Sequence, residues 1–289
     1  MRAGRSVARP VRHFLGSAHS PLALQGGIAE EIARLRGEIT STMPDNPVLS
    51  GAKSYAQTDE DGILGEIFRR VGAGNKLFAE FGCGNGLENN THLLLLAGWR
   101  GAWFDGDAER VGHIAESVPL RSHSLQVVEA FVTRENAAEL LAGALRRLDV
   151  EHTELDLLSV DVDGNDIHIM NAVLERFSAR VLCVEYNGKF PHDLDIELEY
   201  RTNHVWAEDD YQGASLAAYV RALKGRYTLI SCNISGVNAF FVRDELVPHF
   251  TVYPIGELFQ PARYHLIFAT SGHPASLKFL AQTLRAGGS

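Results

Sequence analysis

The stretch Leu77-Phe78-Ala79-Glu80-Phe81-Gly82-Cys83-Gly84-Asn85-Gly86 opens with a short apolar run and closes on three alternating glycines. Leu77 to Phe81 reads as a buried strand, and the apolar-rich stretch after Glu88 reads as a helix. Between them the chain must turn sharply while its backbone stays close to something bulky. Glycine allows both, because it has no Cβ and tolerates positive φ. A strand, a glycine-rich turn and a helix N-terminus in succession form a nucleotide-cofactor site.

The spacing narrows the choice of cofactor. A dinucleotide fingerprint is G-x-G-x-x-G, with phosphate resting on the helix N-terminus. Here the spacing is G-x-G-x-G, and Leu87 stands in the place of the third fingerprint glycine. Glu80 precedes the first glycine and Glu88 follows the last. Carboxylates so placed repel a pyrophosphate. They suit a cationic ligand without phosphate, such as S-adenosylmethionine with its sulfonium and α-ammonium. A glycine turn that only packs a strand on a helix is the plainer alternative.

The chain has 289 residues, 45% hydrophobic and 22% charged, with a net charge of −9. That is ordinary for a soluble globular protein, and the cytoplasm is the expected compartment. The acidic balance argues against nucleic-acid binding, which needs a basic face. No apolar run approaches the roughly 20 residues that span a bilayer. Cys83, Cys183 and Cys232 lie in or near apolar segments without C-x-x-C spacing, as expected of buried free thiols. Arg2, Arg5, Arg9 and Arg12 crowd the first twelve residues without an acid, compatible with a transit-type sequence, a basic arm or a disordered lead.

Ile28 to Ile39 carries apolar residues at helical spacing, predicting an amphipathic helix, and Pro44-Asp45-Asn46-Pro47 reads as a linker. Residues 1–50 are accordingly expected to be an extension, able to pair copies of the chain or cover a site, and 51–289 the main domain. A helix is predicted over about 60–71, capped by Thr58 or Asp59. Strands are expected at 77–81, 101–105, 125–129, 155–161 and 180–186. Helices are expected between them near 88–97, 108–117, 135–147 and 167–177. Strands alternating with helices imply parallel pairing and a doubly wound α/β sheet. A polar insertion at about 188–212 follows, then a helix near 214–224 and strands near 226–231 and 238–243. Asn233-Ile234-Ser235-Gly236 is hairpin chemistry, so the last strand should run antiparallel.

Several segments together resemble the FkbM-type S-adenosylmethionine-dependent methyltransferases. They are Tyr55-Ala56-Gln57 with Glu60-Asp61-Gly62, Glu80 to Gly86, Asn90-Thr91, and Gly98-Trp99-Arg100-Gly101. Asp161-Val162-Asp163-Gly164, Glu185-Tyr186-Asn187 and Gly236 to Phe241 continue the series. The second strand departs from the family by ending Asp105-Gly106-Asp107 where many relatives resemble Glu-Pro, and the fourth strand's end is richer in acid. The resemblance implies a class I methyltransferase fold with a seven-stranded, mostly parallel sheet. It also implies that Tyr55, Gln57, Asn90 and Thr91 join the cofactor site, that adenine lies near Ala130 and Phe131, and that the acceptor is a sugar or glycosylated metabolite.

In such sheets ligands sit beyond the carboxyl ends of the strands. Gly82, Gly84 and Gly86 would let the methionine moiety approach, and Glu80 would hold its ammonium directly, through water, or instead cap the turn. Asp105, or its competitor Asp107, is placed to accept bonds from the ribose hydroxyls; the other of the two would cap the next helix. Asp161 and Asp163 share a face of an extended segment, and Glu185 and Asn187 repeat that spacing. Three carboxylates and an amide oxygen form a hard-oxygen set suited to Mg²⁺ or Mn²⁺, which would lower the pKa of an acceptor hydroxyl. Asp161 or a histidine, His192 or His204 of the insertion, is the metal-free choice of general base; an Asx turn at Asp163 and Asn165 is the purely structural one. A cofactor-binding scaffold without turnover and a nucleotide-dependent oxidoreductase are the competing readings of the whole chain.

Overall fold

The computed structural model describes residues 21–118, 123–151 and 153–266, together with 283. The four N-terminal arginines lie outside the described residues. Helix α1 (Pro21–Thr42) is longer than its periodicity predicts, and sends Leu35 and Ile39 into the main core, followed by Met43. Its end turns through Pro44–Asn46 into a 3₁₀ segment, Pro47–Ser50, where Asn46 Oδ1 accepts the Val48 N–H at 3.0 Å. Helix α2 (Glu60–Val71) carries acids in its first turn and Arg69 and Arg70 in its last, complementing the helix dipole.

From there strands and helices alternate: β1 (Leu77–Phe81), α3 (His92–Leu96), β2 (Arg100–Asp105), α4 (Ala108–Ser117) and β3 (Leu125–Glu129). Next come α5 (Ala137–Arg147), β4 (Glu154–Val160), α6 (Asp166–Leu174) and β5 (Ser178–Glu185). The chain closes with α7 (Leu216–Leu223), β6 (Tyr227–Cys232), β7 (Asn238–Arg243) and the single turn α8 (Ile255–Leu258). Among the described residues the strands form one seven-stranded sheet in the order β3-β2-β1-β4-β5-β7-β6. The first five pair in parallel, and β7 runs antiparallel to both β5 and β6. This is the sheet of the class I methyltransferase fold.

The apolar composition of the central strands follows from burial on both faces: every residue of β1 is buried. Strand order reverses beside β1, which sends the crossovers to β2 and β4 in opposite directions and opens a crevice at the strands' carboxyl ends. The β6–β7 turn is closed by Asn233, whose Oδ1 accepts the N–H groups of Val237 and Asn238, both at 2.9 Å. Segment 188–212 packs on a small core of its own, Phe190, Ile196 and Leu198. Among the described residues no helix is long and apolar enough to cross a membrane, and the three cysteines are buried free thiols.

Helix α3 is shorter than expected, beginning at His92 instead of 88. The cause is Glu80. Its carboxylate accepts the backbone N–H of Asn90 at 2.8 Å and of Thr91 at 3.2 Å, and the side chains of Asn89 and Thr91 at 2.8 and 2.5 Å. Residues 89–91 are thus wrapped around the acid and cannot continue a helix toward the glycines.

Candidate active site

A cleft of about 670 Å³ lies over the carboxyl ends of β1, β2, β4 and β5, a volume in the range of small-molecule sites. Gly82 and Gly84 allow its floor to form. At Gly82 (φ +86°) a Cβ would be driven into the Asp161 carbonyl, so only glycine lets β1 and β4 finish side by side. Gly84 (φ +56°) lines the cleft, and a Cβ there would have nothing within 4 Å, leaving a backbone that a ligand can approach. Gly86 serves packing: a Cβ would press on the Trp103 ring at 2.8 Å.

Asp105 ends β2 and holds the glycine loop. Its Oδ2 accepts the Gly84 N–H at 2.8 Å, and its Oδ1 accepts the Asp107 N–H at 2.9 Å. Asp107 is the N-cap of α4, accepting from Glu109 and Arg110, so of the two competing aspartates it takes the capping role. Phe131 is half-exposed and lines the cleft, as do Val205 and Trp206 of the insertion. Burial pushes the Glu80 carboxyl up to about 7, partly offset by the donors from Thr91, Asn90 and Asn89.

The other half of the cleft is acidic. Asp161, Asp163 and Glu185 line it, with His204 above them. Carboxyl oxygens of Asp161, Asp166 and Glu185 lie within 4.8 Å of one another. Burial first, then the neighbouring carboxylates, pushes Asp161 and Glu185 well up from the ordinary carboxylate range, and Asp163 to about 6. Gln212 donates to Glu185 Oε1 at 2.6 Å, while Glu185 Oε2 is buried without a donor. Carboxylates this close and this buried cannot all stay charged, so the Asp161–Glu185 pair calls for a proton or a cation.

Not all expected residues meet here. Gln57, Glu80, Gly82, Gly84, Asn90, Asp105, Phe131, Asp161, Asp163, Glu185 and His204 line the cleft. Tyr55 instead stacks on His92 with ring centroids 4.4 Å apart. Thr91 is buried between Glu80 and the indole of Trp103. Ala130 follows β3, with its N–H on the Asp105 carbonyl. His192 packs near Phe259 and Gly256, away from the cleft, which removes it as a base.

Asn187 is likewise corrected as a metal ligand. Its amide donates to the carbonyls of Asp210 and Gln212, and its oxygen accepts the Lys189 N–H. It ties the insertion to β5. Among the acids, Asp166 and not Asp163 joins Asp161 and Glu185 in the close cluster, but its own oxygens accept the Val162 and Gly164 N–H groups at 2.6 and 2.8 Å. His204 packs against Gly164, where a Cβ would strike its ring, and its Nε2 is buried without a partner.

Asn89 and Asn238 are cleft residues that local pattern does not reveal as ligand acceptors. Their oxygens are buried and unpartnered; Glu80, nine residues away, orients the Asn89 amide, and Glu60, 178 residues away, the Asn238 amide. The motif pieces around Tyr55 and Gly236 also acquire a physical role. Asp61 Oδ2 accepts the N–H groups of Ser54, Tyr55 and Ala56, folding that loop beneath the cleft. Glu60 Oε1 accepts from Asn233 at 2.6 Å and from Asn238 at 3.1 Å, fastening the hairpin to α2.

No family model matches the chain, and no curated protein matches it. Solved structures do. A Staphylococcus aureus protein assigned as a caffeoyl-CoA O-methyltransferase shares 11% identity over 77% of this chain and 99% of its own, with a TM-score of 0.43. A Klebsiella pneumoniae protein assigned as an O-methyltransferase shares 16% over 80% and 91%, at 0.42. A Podospora anserina methyltransferase solved with S-adenosylhomocysteine shares 12% over 83% and 100%, at 0.40. The fold assignment rests on strand order and direction.

Proposed function

We propose that the chain is an S-adenosylmethionine-dependent O-methyltransferase of FkbM type, acting on a hydroxyl of a sugar or glycosylated metabolite. One observation carries the reading: an open glycine backbone at Gly84, held by Asp105, shares a single cleft with the carboxyl pair Asp161–Glu185. The first suits a nucleoside with a cationic arm, and the second suits removal of a proton. The residues present fit the donor. Asp105 retains lone pairs for ribose hydroxyls, Phe131 offers a ring face to adenine, and the unpartnered Asn89 Oδ1 accepts from an α-ammonium. Bound there, S-adenosylmethionine supplies an electrophilic methyl group whose transfer leaves the electron pair on sulfur and one proton for the protein to take.

Asp161 is the base in this reading. Its raised affinity for a proton, caused by burial among Asp163, Asp166 and Glu185, suits a group that must receive one from an alcohol. The remaining task is alignment, which the buried strand ends provide. A second reading adds Mg²⁺ or Mn²⁺, favoured by the 4.8 Å grouping of Asp161, Asp166 and Glu185. Asp161 and Glu185 would hold it, since the Asp166 oxygens are already engaged; Mg²⁺ commonly keeps several waters beside one or two carboxylates.

Calorimetry with S-adenosylhomocysteine and with NAD tests the cofactor: the first should bind and the second should not, and tighter NAD binding sinks the proposal. Activity lost in EDTA and restored by Mn²⁺ would establish the second reading, and indifference to chelator would remove it.

A further inference from the structure

The charge of the cleft is not matched by the cofactor and acceptor just proposed. Glu88 is paired with Lys53 at 3.1 Å and Asp107 with Arg110 at 3.5 Å. Glu80 and Asp105 are met by N–H donors. Asp161, Asp163 and Glu185 remain, two charges once the Asp161–Glu185 pair holds a proton, and among the described residues Arg110 is the sole Lys or Arg that lines the cleft. A methyl donor bearing a sulfonium, an ammonium and a carboxylate brings one net positive charge. A neutral sugar brings none.

The unsatisfied atoms locate the deficit. Glu185 and Asn238 are cross-strand partners on β5 and β7 and are 4% and 2% exposed. Glu185 Oε1 is taken by Gln212, leaving Oε2 bare. Asn238 Nδ2 donates to Glu60, a pure acceptor when ionised, and this fixes the amide so that Oδ1 is the bare atom. Two buried acceptors, side by side at the cleft wall and without a donor, call for a ligand that donates several hydrogen bonds and carries positive charge. The donor's own ammonium is poorly placed to answer. In the order β2-β1-β4-β5-β7, this pair stands two and three strands from β1, about 10 and 14 Å at ordinary strand spacing.

We propose that the acceptor is an amino sugar whose ammonium docks on Glu185 Oε2 and Asn238 Oδ1, so that a hydroxyl on a neighbouring carbon faces Asp161. The proposal rests on the methyltransferase reading of the same cleft. Specificity then comes from two acceptors that a free hydroxyl or an acetamide cannot satisfy equally: the first lacks the charge, and the second has a single N–H.

The test uses the full chain loaded with S-adenosylhomocysteine and titrated with glucosamine, glucose and N-acetylglucosamine. Glucosamine should bind at least tenfold tighter than either neutral sugar. Glu185→Gln, close to isosteric, should erase that preference while leaving S-adenosylhomocysteine affinity within about threefold, and Asn238→Asp should widen the preference. Equal binding of the three sugars, or no binding of glucosamine, overturns the proposal. So does a Glu185→Gln protein that loses S-adenosylhomocysteine as strongly as glucosamine, because the ammonium in the pair would then be the methyl donor's. Mn²⁺ titrated alone that binds wild type, fails on Glu185→Gln and is not displaced by glucosamine would assign the pair to a metal. Failure of S-adenosylhomocysteine to bind at all would instead remove the underlying reading.

Discussion

Strand β4 carries an aspartate near each end, and the two are treated in opposite ways. Asp156, near its start, is fully buried and meets three donors: the N–H groups of Gly74 at 2.7 Å and Lys76 at 2.6 Å, and the Arg180 guanidinium at 2.8 Å. Asp161, just past its end, is surrounded by Asp163, Asp166 and Glu185, all of its own sign. The same residue type is a brace at one end of the strand and, in the proposed reading, the base at the other. What differs is whether the fold supplies donors. Burying a carboxylate is costly unless it is paired, so a protein that groups several and leaves an oxygen such as Glu185 Oε2 bare among them has left room for something else to bind.

Removing each aspartate should separate the two roles. Asp161→Ala is expected to lower turnover by about 10²–10⁴, the range of a lost general base, with S-adenosylhomocysteine affinity changed by less than about tenfold, or about 1.4 kcal/mol. Single-turnover kinetics and calorimetry check both arms, and equal losses in binding and turnover would show that Asp161 belongs to the cofactor. Gly84→Val should do the reverse, cutting S-adenosylhomocysteine affinity by about 10²-fold or more, because its side chain fills the open approach and the φ of +56° disfavours a β-branched residue. Asp156→Ala should act on stability alone. Stranding Arg180 and two N–H groups costs about 3–5 kcal/mol in the denaturant midpoint, with cofactor affinity of the folded protein unchanged.

The contrast also explains what a reader of the chain could see. Leu77 to Phe81 appears where its apolar run puts it, and the Asn233–Gly236 turn makes the final strand antiparallel, because both depend on neighbours in sequence. Asp105 and Asp107 compete at the sequence level because either can cap the helix or face the ribose, and the capping bonds of α4 fix which one is the cap. His192 and Asn187 mislead for a different reason. Each lies beside strand-end motifs, but the insertion's packing turns the histidine toward Phe259 and the amide toward Asp210 and Gln212. Asn238 as a buried acceptor is invisible locally, since its orientation depends on Glu60, 178 residues away.

Asp59 lies between the two extremes of β4 and gives the finest version of the comparison. Its Oδ2 takes the Ile234 N–H at 3.4 Å, a long contact, while its Oδ1 is buried with no donor. Burial, then the adjacent Glu60 charge, pushes its carboxyl from the ordinary 3.8 up to about 7, with Ile234 and Arg36 opposing. In the unfolded chain the proton leaves near 3.8, whereas the folded chain keeps it until about 7. The folded state thus holds more protons across that interval, and the stability linked to this group is full below it and lost as pH rises through it. Asp59→Asn cannot titrate, so its advantage over wild type should be near zero at pH 4 and grow to between about 1 and 4 kcal/mol at pH 8. Urea midpoints at the two pH values measure this. A gain equal at both would mean that Asp59 is already satisfied in the fold, as Asp156 is, and that a bare buried oxygen is a weaker sign of unmet demand than the argument for Asp161 and Glu185 requires.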